Sequence, residues 1–510
     1  MTSKHENVRQ IKIGAIISYI AIAFNILAGL LYTPFLISKI GQSDYGLYVL
    51  CASIIGFFAM DFGIGGAISR FVSKYRAEGN TEKLNNFLGL VIKLFLVIDA
   101  IIFISLLVML IFMEQVYVKL SPQEIEKLKV LYVISGMFSL VSFPFTCLDG
   151  ILISFEKFIF HKSMGLIQKM LIVSLMVAAL IMGKGLYAIV IVNAFVGLII
   201  ISLKLVYVKR KIPIKANMGY TDRKILKQTL QFILWSTVIV FAERFILNIT
   251  PTILGRFSGS TQISIFSIGM TIEGYAATFA QAINGMFMPK VSQMISDKQS
   301  HEAFENLMIR VGRIQLFIIG LIISGFISMG REFIHLWTGT AFANSYAVAV
   351  FLLLPFLVLL TQDIANTMIM AENKVMYRSV TVILNAMVSL TLSFILTPRY
   401  GAIGSAMAIF CGGLVAIVFI NIVYSKVLKI NIIRFFVQCH LKIVPLLLIT
   451  TIFGLGIQFL FPTQNMIYFS AKALIMCLFY FIIMWNFALN QSEKNLFTSI
   501  FASITRHKKD

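Results

Sequence analysis

Long apolar runs constrain this chain more than any other feature. Segments of roughly 20 apolar residues, each enough to cross a ~30 Å hydrocarbon core as a helix, recur along all 510 residues. Fourteen are read, at 13–38, 45–69, 87–113, 130–154, 164–183, 186–208, 228–255, 263–288, 312–330, 344–371, 379–397, 401–425, 443–461 and 467–489. A soluble domain carries about 25% charged residues, whereas here 13% are charged and 59% hydrophobic. No segment between runs is long enough for a soluble domain. MTSKHENVRQIK leads straight into the first run without a cleavable-signal pattern. The expected fold class is an all-α integral membrane protein with 14 transmembrane helices.

The net charge of +21 raises nucleic acid as a partner, but its distribution argues against one. With the N-terminus inside, the cytoplasmic segments hold about 30 of the 43 Lys and Arg residues, the asymmetry of the positive-inside rule. The expected protein is therefore multi-pass, with both termini cytoplasmic. The densest cluster, VKRKIPIKANMGYTDRKILK (208–227), joins the sixth and seventh runs. It reads as a topology-setting linker, with anionic lipid headgroups as its functional alternative.

No enzyme signature occurs. GxxxxGK[ST], HExxH and GxSxG are all missing, and Cys51, Cys147, Cys411, Cys439 and Cys477 have neither metal-ligand nor disulfide spacing. No cofactor or metal is expected.

The chain repeats itself. TPFLISKI (33–40) answers TPTILGRF (250–257), with Gly41 and Ser43 answering Gly259 and Thr261. FPFTCLDGILISFEKFIFHKS (143–163) parallels LPFLVLLTQDIANTMIMAENKVMYRS (354–379), so that Pro144 meets Pro355, Asp149 meets Asp363 and Glu156 meets Glu372. Spans 1–6 and 7–12 then form two pseudo-symmetric six-helix lobes, and an even number of spans per copy makes the repeat parallel. The expected organisation is an N-lobe at 1–208, a basic linker at 209–227, a C-lobe at 228–425, and two further helices with a tail at 426–510. Pro34 and Pro251, near the outer ends of spans 1 and 7, are candidate hinges or plain tolerated kinks.

Charge inside a span costs about 2.5–3.5 kcal/mol per residue on insertion scales, and so marks a paired site or a pathway. Asp149 and Asp363 occur in both halves and read as structural, by capping or pairing. Glu243 and Arg244 have apolar counterparts in Ile26 and Leu27, and Asp61 and Glu273 are likewise one-sided. Adjacent residues point about 100° apart on a helix. Arg244 facing a cavity while Glu243 pairs elsewhere, and a locally neutralised ion pair, are the two readings. Lys93, Lys169 and Lys204 lie within spans, where snorkelling competes with cavity lining; only Lys169 is near enough to a basic loop to snorkel easily. Arg70, Arg256 and Arg313 sit at span ends as anchors, and Lys472 stands alone in the last span.

IGQSDYGLYVL (40–50), followed by DFGIGGAISRFVSKYRAEGN (61–80), resembles the opening of Wzx-type polysaccharide flippases, within the multidrug, oligosaccharidyl-lipid and polysaccharide exporter superfamily. The resemblance extends over essentially the whole chain in its span number, lobes, linker and trailing helices. It implies a MATE-like fold, in a bacterial plasma membrane, that moves an undecaprenyl-diphosphate-linked oligosaccharide between leaflets by alternating access. It also implies partners in glycan polymerase or ligase machinery. Carried over by role, Arg244 is the leading contact to the anionic headgroup, with Lys93, Lys169 and Arg70 secondary. Lipid II flippases carry arginines in span 1, where this chain has only Asn25 at mid-span, and that departure argues against a peptidoglycan precursor.

An inside-negative potential favours outward movement of a diphosphate by roughly 2.3 kcal/mol per charge per 100 mV. Coupling to H+ or Na+ through Asp61, Glu243 or Glu273 is the other source of drive. The competing function is an ion-coupled antiporter of drugs or organic cations on the same fold, with Asp61, Glu243, Glu273 and Asp363 lining its cavity.

Overall fold

A computed structural model describes residues 2–58, 64–220, 222, 241, 245–246, 248–297, 299–372, 374–462, 465–491 and 493–495. Among them all regular structure is helical. Among the described residues, eleven helices are long and apolar enough to cross a membrane, and parts of the fourteen expected spans lie outside those residues. Of the expected span 45–69, the residues up to Phe58 and from Ile64 are described, as parts of the helices Gln42–Phe58 and Ile64–Ala77, and most of 228–255 lies outside the described residues. The eleventh and twelfth expected spans merge into one 52-residue stretch, Val375–Lys426. At 1.5 Å per residue it would run about 78 Å, more than twice the hydrocarbon thickness. It breaks at Gly401, whose φ of 56° and ψ of −132° are not helical. Glycine takes this left-handed backbone without the penalty a Cβ would bring.

Local chemistry explains the other boundaries. Gly41 and Gly259, equivalent in the repeat, end their helices with φ of 85° and 86°. Pro122–Ser142 opens on a capping box, in which the Ser121 side chain and the Glu124 backbone, and the Glu124 side chain and the Ser121 backbone, bond reciprocally. Asn80 and Ser300 cap Thr81–Ile111 and His301–Thr338.

The second repeat anchor is visible in backbone form. Phe143–Thr146, with Pro144, is a 3-10 turn that leads into the short helix Cys147–Ser154. After Pro355, Phe356–Leu359 and the 3-10 turn Leu360–Gln362 lead into Asp363–Ala371. Each proline removes an amide hydrogen, and in each half a 3-10 turn intervenes before the helix that carries the Asp. Asp149 and Asp363 both fall in the first turn of the new helix, where the helix dipole favours a carboxylate.

The chain divides into two compact units, 1–267 with 382–409 and 268–381 with 410–510, whose boundaries fall inside helices. In the first, Thr2–Ile40 packs on Phe158–Ile181, which packs on Gly185–Lys211; Pro122–Ser142 lies against both Gln42–Phe58 and Gly185–Lys211. In the second, His301–Thr338 is the central helix. It packs on Leu441–Leu460, Met466–Ile483 and Ser345–Leu353, and 61% of its most apolar window is buried. By contrast the first long helix buries only 6% of its window. Leu31 and Phe459 are 77% and 87% exposed; such apolar faces are solvated by lipid rather than water.

Candidate functional site

In the first unit a cation stands at mid-span. Lys169 is about 16 Å along Phe158–Ile181 from its start, and Asn25 has a similar central position in the Ile13–Ile40 span. Both side chains are exposed, and the Lys169 ammonium donates to Asn25 Oδ1 at 2.8 Å. Of the two readings open for Lys169, snorkelling and cavity lining, contact with a basic loop is not what is seen: the amine is held by a neutral amide on a neighbouring helix. An ammonium has three donors. Among the described residues Lys169 uses one of them and has no carboxylate partner, so it retains the capacity to bind an anion.

Lys204, seven residues from the end of its helix, is different. Its Nζ lies 2.6 Å from Asp149 Oδ1, and His161 Nδ1 lies 3.1 Å from the same oxygen. Asp149 is thus paired. Asp363, its counterpart, accepts from the Asn366 amide at 3.1 Å; Asn366 in turn accepts from the Tyr424 hydroxyl at 2.9 Å. The two halves keep the carboxylate at the helix start.

Lys93 reaches the basic segment that follows Gly185–Lys211, donating to the Tyr220 carbonyl at 3.0 Å. Residues 215–220 lie along the start of Thr81–Ile111: the Lys215 amide donates to Asn85 Oδ1 at 2.9 Å, and Asn217 Nδ2 donates to Asn86 Oδ1 at 2.8 Å. Arg70 is exposed on Ile64–Ala77. Glu273, in the second unit, is half-buried on Ser260–Ser296 with no ion-pair partner among the described residues. Pro34 and Pro251 both lie in helical backbone. Asp61, Glu243 and Arg244 lie outside the described residues.

The equivalent turns of the repeat meet in the first unit. Glu124 Oε1 accepts from both Ser43 Oγ and Ser260 Oγ at 2.5 Å, and the two hydroxyls are 3.0 Å apart. Ser43, Glu124 and Ser260 each lie in the first turn of a helix, so three positive helix ends surround one carboxylate. Gly46 makes the approach possible, because a Cβ there would collide with the Ser260 carbonyl. Tyr45 and Ser267 hydroxyls meet at 3.3 Å, and Arg256 donates to the Gln115 and Val116 carbonyls rather than serving as a bare interfacial anchor. The run-by-run reading passes over Glu124, because a carboxylate outside the spans carries no depth signal.

The second unit corrects two further expectations. Arg313, expected at a span end, is 4% exposed and bonded to Glu493. The helix that bears it begins at His301, eleven residues before the expected span, which places Arg313 inside the bundle. Lys472, alone on sequence, donates to Glu332 at 2.7 and 2.9 Å.

Residues 11–295 match the family described as polysaccharide biosynthesis protein. Over 184 residues, 35% of the chain, it is 26% identical to the capsular polysaccharide biosynthesis protein CapF of Staphylococcus aureus, and the match spans 45% of that relative's length. The fold is similar to that of the lipid II flippase MurJ in an inward closed conformation, at a TM-score of 0.72 and 19% identity, covering 92% of this chain and 97% of that one. It is also similar to a multidrug resistance MATE family transporter of the MOP superfamily in an inward-facing conformation, at 0.64 and 14% identity, covering 83% and 98%.

Proposed function

The chain belongs to the polysaccharide biosynthesis protein family, and from that premise we propose that it is a flippase for a polyprenyl-diphosphate-linked oligosaccharide. The observation that carries the reading to a site is the Lys169 ammonium. It lies at mid-span, exposed, with a neutral partner and donors left over. A diphosphate is the anionic part of a lipid-linked glycan, and a cation at that depth offers it a charge-assisted contact where water is scarce. Arg244 is the leading partner to Lys169 in this role, with Arg70 and Lys93 flanking the path. Lys93 exchanges its linker carbonyl for substrate.

The movement proposed is alternating access of two lobes, 1–208 and 228–425, about Pro34 and Pro251. Contacts made by Glu124 with Ser43 and Ser260 tie the equivalent helix starts of the two lobes together, which supports a state closed at that end. The membrane is the bacterial plasma membrane and the termini are cytoplasmic. Asp61, Glu243 and Glu273 are the proposed groups for H+ or Na+ coupling or for charge pairing, while Asp149 and Asp363 keep structural roles. Polymerase or ligase partners take the product on the outer face.

The test is translocation of a fluorescent polyprenyl-diphosphate oligosaccharide in proteoliposomes, with Arg244→Ala and Lys169→Ala beside the wild type. Flipping by the wild type and its loss in folded variants supports both substrate class and site. Folded wild type that flips no such lipid, but takes up an organic cation against a proton gradient, sinks the reading.

A further inference from the structure

A cavity lies in the second unit between the end of Ser260–Ser296 and the start of His301–Thr338. The chain turns there within 297–300: the Asp297 amide donates to the Gln293 carbonyl at 2.8 Å and the Gln299 amide to the Met294 carbonyl at 3.0 Å, before Ser300 caps the next helix. The two helices leave about 420 Å³ between them, within the range of small-molecule sites. Ala303, Leu307 and Arg310 line it from one face of His301–Thr338, because steps of three and four residues return to the same side of a helix. Gln293, Met294 and Asp297 line it from the other side. Its floor is apolar, with Met294 and Leu307 each 6% exposed, and its walls are polar and exposed.

Arg310 and Asp297 border this one cavity, yet neither forms an ion pair, with the other or with any described residue. The side-chain amides of Gln293 and Gln299, on the same walls, likewise make no hydrogen bond among the described residues. Asn306 is engaged: its Oδ1 accepts from Arg434 at 3.0 Å, and Arg434 is itself met by Glu305 and Glu302. The described charges open to a ligand are therefore one guanidinium and one carboxylate. A site for a plain anion has cations in excess, and one for a plain cation has carboxylates in excess; one of each suits a ligand that carries both. Arg310 stands two residues before the apolar run read at 312–330, so the cavity adjoins the membrane face rather than the bilayer interior.

We propose that this cavity binds a zwitterionic phosphate ester, the chemistry of an aminophospholipid headgroup, with the phosphate on Arg310 and the primary ammonium on Asp297. The planar guanidinium fork matches two phosphate oxygens. An ammonium has three donors for the carboxylate and the neighbouring amide oxygens of Gln293 and Gln299, and the apolar floor takes the carbons that join the two charges. The same chemistry reaches the membrane face either as a lipid or as a soluble glycerophosphoethanolamine. The site shares no residue with the glycan path above and stands whether or not that path is right.

The test is equilibrium binding of radiolabelled phosphatidylethanolamine, and of anionic phosphatidylglycerol, to the purified full chain in mixed micelles at fixed pH and ionic strength. Saturable binding with a several-fold preference for phosphatidylethanolamine is expected. Arg310→Ala should weaken it at least tenfold, and Arg331→Ala, an exposed arginine farther along the same helix, should leave it unchanged. Asp297→Asn should weaken phosphatidylethanolamine and strengthen phosphatidylglycerol, reversing the preference, which a merely structural carboxylate would not do. Melting confirms that each variant is folded; if Arg310→Ala is not, Asp297→Asn decides. Displacement of the lipid by soluble glycerophosphoethanolamine assigns the site to the free ester, and lipid binding that resists it assigns the site to the lipid. No saturable binding of either form by the wild type overturns the proposal, as does equal affinity for phosphatidylglycerol or an unchanged preference in folded Asp297→Asn.

Discussion

Arg313 and Glu493, 180 residues apart in sequence, form a buried bidentate ion pair: Nε meets Oε1 at 2.6 Å and Nη2 meets Oε2 at 3.0 Å. Arg313 also donates to the Gln438 and Ala488 carbonyls. Nineteen residues further along the same helix, Glu332 pairs with Lys472. At 1.5 Å per residue the two pairs are about 28 Å apart, close to the thickness of a hydrocarbon core. Each pair is buried in protein, and together they clasp the last two membrane helices to His301–Thr338 at both ends.

Removing one member of the Arg313–Glu493 pair leaves the other charge buried and uncompensated. Arg313→Met or Glu493→Gln should each destabilise the protein by about 3–5 kcal/mol. The double replacement by apolar residues should cost less than the sum of the two. Thermal unfolding in detergent, run as a double-mutant cycle, measures the coupling; strict additivity would show that the pair contributes no interaction of its own.

The Lys472–Glu332 pair should tolerate reversal better than removal. Lys472→Glu alone places two carboxylates together and should lower the melting temperature well below that of Lys472→Met. Combining it with Glu332→Lys should restore most of the loss. A double variant no more stable than Lys472→Glu would mean that Gln458 and the Phe461 carbonyl, which also accept from Lys472, set the geometry.

Replacing Asn25 with Asp gives Lys169 a carboxylate at the position where it now has an amide. Flipping should fall by at least tenfold, because the ammonium is neutralised before substrate arrives, while the melting temperature holds or rises. Lys169→Arg should keep part of the activity. Transport unaffected by Asn25→Asp would remove Lys169 from the anion path.

Glu124→Ala deprives the Ser43 and Ser260 hydroxyls of their shared acceptor. The pairing of the two helix starts should loosen, and a cysteine placed at Tyr45 should react several-fold faster with a membrane-impermeant maleimide than it does with Glu124 intact. Equal labelling rates would show that the close approach at Gly46 holds the turns together without the carboxylate.

Much of this was readable from residue order alone, and the reasons are local. A run of 20 apolar residues has few stable states in lipid other than a helix, since every backbone amide needs an internal partner. Pro144 and Pro355 break helices wherever they are placed, and the Asp that follows each one lies in the first turn of the next helix. Positions 41 and 259 were matched by the repeat and have the same backbone angle.

What residue order left open is which charge meets which. Lys472 has no carboxylate within reach along its own helix, and its partner Glu332 lies 140 residues away. Lys169 and Lys204 look alike as lysines within spans, yet one meets an amide at mid-depth and the other a carboxylate near a helix end. The sequence by itself determined that this chain lies in a membrane as helices, and where its prolines and the matched glycines interrupt them. Only the tertiary structure decided the pairings. They depend on the rotation of each helix about its axis, and in lipid that rotation is set by the close packing of many apolar side chains rather than by any contrast between an oily face and a wet one.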